Sequence, residues 1–139
     1  MANLLSGSPG KKAQISEELR GKVINFAVSH VEIVALYVFG STATGKNRAG
    51  SDIDVAIMVR GSIRSMERVR LETSLSNLLE RDVDLIIFGE ASALLRHQIL
   101  KYGDLVYESD PKERVRQEVF ARREYLDSIV LYKLIEGYG

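Results

Sequence analysis

Two stretches of this chain decide its fold and its chemistry: Tyr37-Val38-Phe39-Gly40-Ser41 and, after ten intervening residues, Asp52-Ile53-Asp54. The first is an apolar strand that ends in a Gly-Ser turn. The second opens another strand with two carboxylates on alternate residues, and alternate side chains of a strand point to the same face of a sheet. Two carboxylates on one face suit the binding of a divalent metal.

Both stretches fit a site for Mg²⁺ and a nucleoside triphosphate. Mg²⁺ takes oxygen ligands and is usually held by one or two carboxylates together with substrate phosphates. A triphosphate repels a nucleophile until cations neutralise its oxygens. Gly40 lets the backbone approach a phosphate, while Ser41 can cap the next helix or offer its hydroxyl and N–H to the terminal phosphate. We therefore predict that Asp52 and Asp54 bind the metal beside an anion-binding turn.

A later strand carries a third acid. Val83-Asp84-Leu85-Ile86-Ile87-Phe88 is apolar apart from Asp84, and buried strands rarely carry an unpaired charge. Beside the strand of Asp52, Asp84 would share a metal and accept the proton of an attacking hydroxyl as a general base. Asp82 competes for this role, but it follows Arg81 at the end of a charged helix, which favours a solvated turn residue.

These motifs resemble a known family. Gly40-Ser41, Asp52-x-Asp54 and Val83-Asp84-Leu85 look like the motifs of DNA polymerase β-type nucleotidyltransferases. More narrowly, the small size and the ending Gly103-Asp104-Leu105-Val106-Tyr107-Glu108 before a charged helix are similar to the minimal nucleotidyltransferase (MNT) antitoxins that partner HEPN-domain toxins. The resemblance implies an α/β (α+β) fold of the polymerase β-like kind, with a small mixed sheet flanked by helices.

The resemblance also implies an activity. Members of this subfamily are Mg-dependent protein adenylyltransferases that move AMP from ATP to a hydroxyl, here a tyrosine of the HEPN toxin, and so silence a ribonuclease. Two Mg²⁺ ions are expected with ATP bound. Asp52, Asp54 and Asp84 would be the catalytic and metal-binding residues.

The triphosphate also needs basic partners. Relatives often carry Arg just after the Gly-Ser pair, where this chain has Thr42 and Thr44. We predict that basic residues in the loop between the motifs, and a pair one helical turn apart after the metal strand, take this role. The alternative is a solvated surface position. These residues are Lys46, Arg48, Arg64 and Arg68.

Composition narrows the choice of partner. The 19 Lys and Arg balance the 19 Asp and Glu, so no overall positive field favours nucleic acid as the main partner. A chain of 139 residues makes one domain and leaves none to hold the acceptor, which favours a separate macromolecule. The sequence has no Cys and no apolar run as long as a membrane span, which predicts a cytoplasmic protein without a membrane partner.

Two other functions stay open. A free-standing nucleotidyltransferase would modify a small molecule without a protein partner, although the small size argues against it. A catalytically inactive antitoxin would neutralise its partner by steric contact alone, and the intact set of three acids argues against that.

Periodicity and capping signals predict the scaffold. Residues 1–13 are interpreted as a flexible N-terminal arm and residues 14–139 as a single nucleotidyltransferase domain. The predicted elements are a helix from about Ser16, strands over 33–39 and 52–59, a helix over about 61–80, a strand over 83–88, a short helix closed by Gly103, an edge strand over 104–108 and a helix over about 111–137.

Two helices are predicted to face the sheet with apolar stripes. The first would use Leu19, Val23, Ala27 and Val31. The last helix is the best candidate for a partner surface, because Phe120, Tyr125 and Tyr132 need not all be buried. Core packing with a solvated Arg/Glu face is the alternative. Its predicted domain-facing residues are Val115, Val119, Leu126, Ile129, Val130 and Leu134.

Overall fold

A computed structural model describes residues 15–40 and 52–137 of the chain. The predicted N-terminal arm lies outside these ranges, as do three of the predicted site residues: Ser41, Lys46 and Arg48.

The described elements follow one another as predicted. They are α1 (Glu17–Val28), β1 (Ile33–Phe39), β2 (Ile53–Val59), α2 (Ser65–Leu79), β3 (Val83–Ile87), a 3-10 turn (Phe88–Glu90), α3 (Ala93–Tyr102), β4 (Asp104–Glu108) and α4 (Pro111–Gly137). Side-chain caps begin several helices: Ser16 accepts from the Leu19 N–H at α1, Ser92 from Leu95 at α3, and Asp110 from Glu113 at α4. Each satisfies an N–H that the first helical turn leaves unpaired.

The four strands of the described residues form one mixed sheet in the order β3-β2-β1-β4. β1 pairs antiparallel with both β2 and β4, whereas β2 and β3 are parallel. A parallel pair needs a crossover connection, which α2 supplies. The sheet flanked by helices confirms the predicted fold class.

Helices cover both faces of the sheet. On one face, α1 and α2 bury Val23, Phe26, Leu71 and Leu75 against the strands. On the other, Ile99 of α3 and Ala121 of α4 pack with Tyr37, Met58 and Phe88. Strands covered on both sides are apolar along their whole length, which is why β1 and β2 lack a polar alternation.

The stripe of α1 and the start of α2 differ in detail from the expectation. Val23 and Ala27 are buried, but Val31 is 85% exposed because α1 ends at Val28. In α2, which begins at Ser65 rather than near Gly61, the buried residues are Leu71, Leu75 and Leu79.

The predicted domain-facing side of α4 is wrong. Its buried residues are Glu118 and Ala121. Glu118 is drawn inward because the Tyr37 hydroxyl, buried in the sheet, donates to its Oε2 at 2.6 Å, and Arg114 donates to the same oxygen at 2.8 Å. Of the residues predicted to face the domain, Ile129 is half-buried. The others are 45 to 59% exposed: Val115, Val119, Leu126, Val130 and Leu134. No helix in the described ranges combines the length and the hydropathy of a membrane span.

Candidate active site

The predicted acids meet at one end of the sheet. Asp54 lies opposite Phe39, at the end of β1, and beside Asp84 in the parallel register of β2 and β3. Asp52 precedes the first residue of β2, and the Ile53 N–H donates to the Asp82 carbonyl at 2.9 Å, which joins the starts of β2 and β3. The adjacency of Asp54 and Asp84 follows from this parallel pairing of their strands.

The charges of these acids act on one another. Asp54 is half-buried, whereas Asp52 and Asp84 are exposed. Burial raises the pKa of Asp54 above its usual range, and the neighbouring charges of Asp84 and Asp52 raise it further. Like charges held close together favour the protonated acid, and a cation between them would reverse that effect.

Gly40 is fitted against one of the acids. Its φ of +74° is a conformation that side chains with a Cβ rarely adopt. A Cβ built at this position would lie 2.1 Å from Oδ2 of Asp54. Glycine is therefore required here both by the backbone conformation and by the closeness of the carboxylate.

The donor set suits Mg²⁺. Carboxylate oxygens are the ligands this ion prefers, and it completes its octahedron with water and phosphate rather than with a full protein cage. Among the described residues, no group of three His, Cys, Asp or Glu is arranged to hold a metal by itself. Asp54 and Asp84, with Asp52 close enough to affect the pKa of Asp54, could supply the protein ligands.

The remaining predicted site residues lie in different settings. Arg64 is exposed and directly precedes α2, where its N–H donates to Glu67. Arg68 is partly buried, and its guanidinium donates to Glu72 and to the Leu85 carbonyl. Asp82 is exposed and lies outside β3, as expected of a turn residue.

Two residues near the site were missed by the sequence reasoning. Glu72 accepts from the Leu85 N–H at 2.9 Å, and Ser76 accepts from the Val83 N–H at 3.1 Å. These bonds bracket Asp84. The signal was the repeat of polar residues at positions 68, 72 and 76, which places them on one side of a helix.

Comparison with known proteins places the chain in a family. The family model for polymerase β nucleotidyltransferases matches residues 21–112. The protein adenylyltransferase MntA of Shewanella oneidensis is 29% identical over 90 residues, which cover 65% of this chain and 63% of that protein. The match thus leaves more than a third of the Shewanella protein unaligned.

Solved structures share the fold. A toxin-antitoxin crystal structure with AMP-PNP contains a chain of TM-score 0.74 and 24% identity, over 85% of this chain and 95% of that one. A structure of the tri-AMPylated Shewanella oneidensis HEPN toxin with its MNT antitoxin gives TM-score 0.71 and 22% identity, over 87% and 95% of the two chains. The family model alone spans well over half of the sequence and includes all three acids, so this chain belongs to the polymerase β-type nucleotidyltransferase family.

Proposed function

We propose that this protein is a Mg-dependent adenylyltransferase that moves AMP from ATP to a tyrosine hydroxyl of a HEPN-type ribonuclease toxin, and thereby acts as the antitoxin. The observation that carries the proposal is the side-by-side register of Asp54 and Asp84, with Gly40 against Asp54. Similarity to a protein named as a protein adenylyltransferase supports the choice of reaction. The need for ATP and the absence of Cys favour the cytoplasm.

Each acid has a part in this reaction. Asp52 and Asp54 would hold Mg²⁺, shared by Asp84, and bound Mg²⁺ neutralises the charge that develops on the phosphates. The acceptor oxygen forms a bond to the α-phosphorus while the bond from that phosphorus to pyrophosphate breaks. Asp84, which is exposed at the start of β3, takes the proton of the acceptor hydroxyl.

The nucleotide would lie at the turn after β1. We assign one phosphate contact to the backbone of Gly40, which has no side chain to keep a phosphate at a distance. We assign the other phosphate contacts to Ser41, Lys46 and Arg48, outside the described residues. Arg64 comes after the end of β2 that lies away from the acids, and this position does not support the phosphate contact predicted for it.

A protein acceptor is favoured by the surface of α4. Beyond Tyr125 this helix carries apolar residues that are more than half exposed: Leu126, Val130, Leu131, Tyr132, Leu134 and Ile135. Contiguous apolar surface of this kind marks an interaction site. A cleft of about 370 Å³, lined by Val59, Ile87 and Phe120 at the sheet end opposite the acids, adjoins the same helix.

The test is transfer of a labelled nucleotide. The purified protein is incubated with Mg²⁺, ATP labelled on the α-phosphate, and the protein encoded by the adjacent gene, which is tested as the HEPN-type partner. We expect label on a tyrosine of that product, and none with Asp52→Asn or Asp54→Asn. Tight complex formation without label would replace the proposal with steric neutralisation, and label on a small molecule would replace it with a free-standing enzyme.

A matched pair of variants tests the general base. Asp84→Asn should slow transfer by about 100-fold or more, the range of general-base catalysis. Asp82→Asn removes the same charge two residues away, outside β3, and should transfer AMP at close to the normal rate. Equal loss in both variants would contradict the assignment of the base to Asp84.

A further inference from the structure

The outer edge of β3 is closed by side chains of α2. Within residues 15–40 and 52–137, β3 is the last strand on its side of the sheet. An edge strand exposes N–H and C=O groups that no neighbouring strand satisfies. Here Ser76 accepts from the Val83 N–H, Glu72 accepts from the Leu85 N–H, and Arg68 donates to the Leu85 carbonyl at 3.2 Å. We call Arg68, Glu72 and Ser76 the α2 clamp.

The α2 clamp is held in place on its own helix. Arg68 lies 3.3 Å from Oε2 of Glu72, the oxygen that also accepts from Leu85. Both side chains are mostly shielded from water, with 33% and 27% of their surface exposed. The neighbouring leucine stripe, with Leu75 fully buried, fixes the distance between α2 and the sheet.

The α2 clamp grips β3 on both sides of Asp84. Backbone groups of successive strand residues point to opposite edges, and the bond from the Ile53 N–H to the Asp82 carbonyl shows that the even-numbered residues face β2. Val83 and Leu85 therefore face outward, where the α2 clamp holds them. The backbone that carries Asp84 is fixed from the β2 side and from the α2 side.

We propose that Arg68, Glu72 and Ser76 are positioning residues for Asp84, and that Arg68 acts through the strand rather than by binding the nucleotide. This inference rests on the proposed function, since it assumes that Asp84 is the base of the transfer reaction. Residues that orient a reacting group without touching the substrate affect the rate of the chemical step, and their loss typically costs about 10–100-fold.

The two roles for Arg68 predict different kinetics. A phosphate-binding arginine, once removed, raises KM for ATP. A positioning arginine lowers kcat and leaves KM within about twofold. Arg68→Ala and Glu72→Ala should therefore both show a kcat about tenfold or more below normal, with KM for ATP nearly unchanged.

The experiment measures kcat and KM for AMP transfer to the partner protein, with two controls. Glu72→Gln keeps an oxygen that can accept from Leu85 and should retain kcat within about threefold of normal. Arg70→Ala removes an exposed arginine of the same helix and should change neither constant. A normal kcat in Glu72→Ala, or a KM for ATP raised about tenfold in Arg68→Ala, overturns the inference.

A second readout separates this inference from the proposed function. Amide NMR signals of Asp54 and Asp84 are followed while MgCl₂ is added without nucleotide, in the normal protein and in Glu72→Ala, after thermal unfolding has confirmed that the variant is folded. The kinetic assays use saturating Mg²⁺, so that a weaker metal site leaves KM for ATP unchanged. We expect the apparent Kd for Mg²⁺ to rise about tenfold in Glu72→Ala; an unchanged Kd overturns the inference even if no AMP transfer occurs. Ser76→Ala replaces Glu72→Ala if the latter does not fold, and should raise the Kd less.

Discussion

The helices α2 and α4 meet the same sheet in opposite ways. α2 buries a regular stripe of Leu71, Leu75 and Leu79 against the sheet. Its polar side chains form hydrogen bonds with the edge strand β3, as Glu72 does with Leu85. α4 turns Glu118 inward and leaves most of its large apolar residues exposed. The difference shows that what a helix buries is decided by the surface it meets. The strand side chains that α2 contacts are apolar, whereas the face that receives α4 contains the hydroxyl of Tyr37.

The contact around Glu118 is an electrostatic one. Burial raises the pKa of Tyr37, and the charge of Glu118 raises it further, so the hydroxyl stays protonated and donates. Glu118 also accepts from Arg114, which in turn donates to Glu108 on β4 at 2.7 Å. The N-terminal half of α4 is thus attached by charged hydrogen bonds, since a buried polar group without a partner is costly.

The largest expected effect comes from cutting the apolar contact of α2. Leu75 is fully buried, and Leu75→Ala should lower the free energy of unfolding by about 3 kcal/mol because it leaves a cavity. Leu131→Ala on α4 removes the same atoms from a side chain that is 59% exposed. This variant should change the free energy of unfolding by less than about 0.5 kcal/mol. Urea unfolding measures both, and equal losses would contradict the contrast between the helices.

A smaller loss is expected from the charged contact of α4. Glu118→Ala removes the acceptor of Tyr37 and Arg114 and should cost about 2 kcal/mol, because both donors stay partly buried. Glu118→Gln keeps an acceptor oxygen and should cost less. The same unfolding measurement checks this, and a Glu118→Ala variant as stable as the normal protein would show that Ala121 and its apolar neighbours suffice.

Acid should weaken α4 through its first turn. Hydrogen bonds from Arg116 and Gln117 lower the pKa of Glu113 from 4.5 to about 2. A carboxyl whose pKa is lowered by folding stabilises the folded protein above its unfolded pKa, and this contribution is lost as the pH falls from about 4.5 toward about 2. The difference in unfolding free energy between the normal protein and Glu113→Gln should shrink over that range. A difference independent of pH would rule out this role for Glu113.

A substitution in the C-terminal half of α4 should have the smallest effect on stability and the clearest effect on partner binding. Leu134→Ser changes a side chain that is 54% exposed and should leave the unfolding free energy within about 0.5 kcal/mol. If this surface binds the partner, Kd should rise about tenfold, as for an anchor residue in an interface. Lys133→Ser is the neighbouring control. Isothermal titration calorimetry measures the Kd for the partner protein. An unchanged Kd in Leu134→Ser would exclude this surface as the binding site.

The sequence alone predicts the strands and the proximity of Asp54 and Asp84. β1 was predicted residue for residue, because an apolar run bounded by a polar helix end and a Gly-Ser turn leaves little freedom. The adjacency of Asp54 and Asp84 follows from a parallel crossover, which a strand-helix-strand order favours.

The parts that could not be predicted depend on contacts between distant residues. Val31 fits the periodicity of α1, but the helix ends before it. Glu118 looks like a solvated charge until Tyr37 is placed beneath it, 81 residues away in the chain. The α2 clamp likewise needs β3 to be an edge strand, which the order of strands in the sheet decides.

The contact between Gly40 and Asp54 makes it possible to separate the presence of an acid from its placement. With alanine at position 40, the added methyl carbon would be too close to Oδ2 of Asp54. The carboxylate would have to move, although all three acids would still be present. The net charge of the site would be unchanged and only its spacing altered. One methyl group at this turn would therefore displace the Asp54 carboxylate without removing any of the acids.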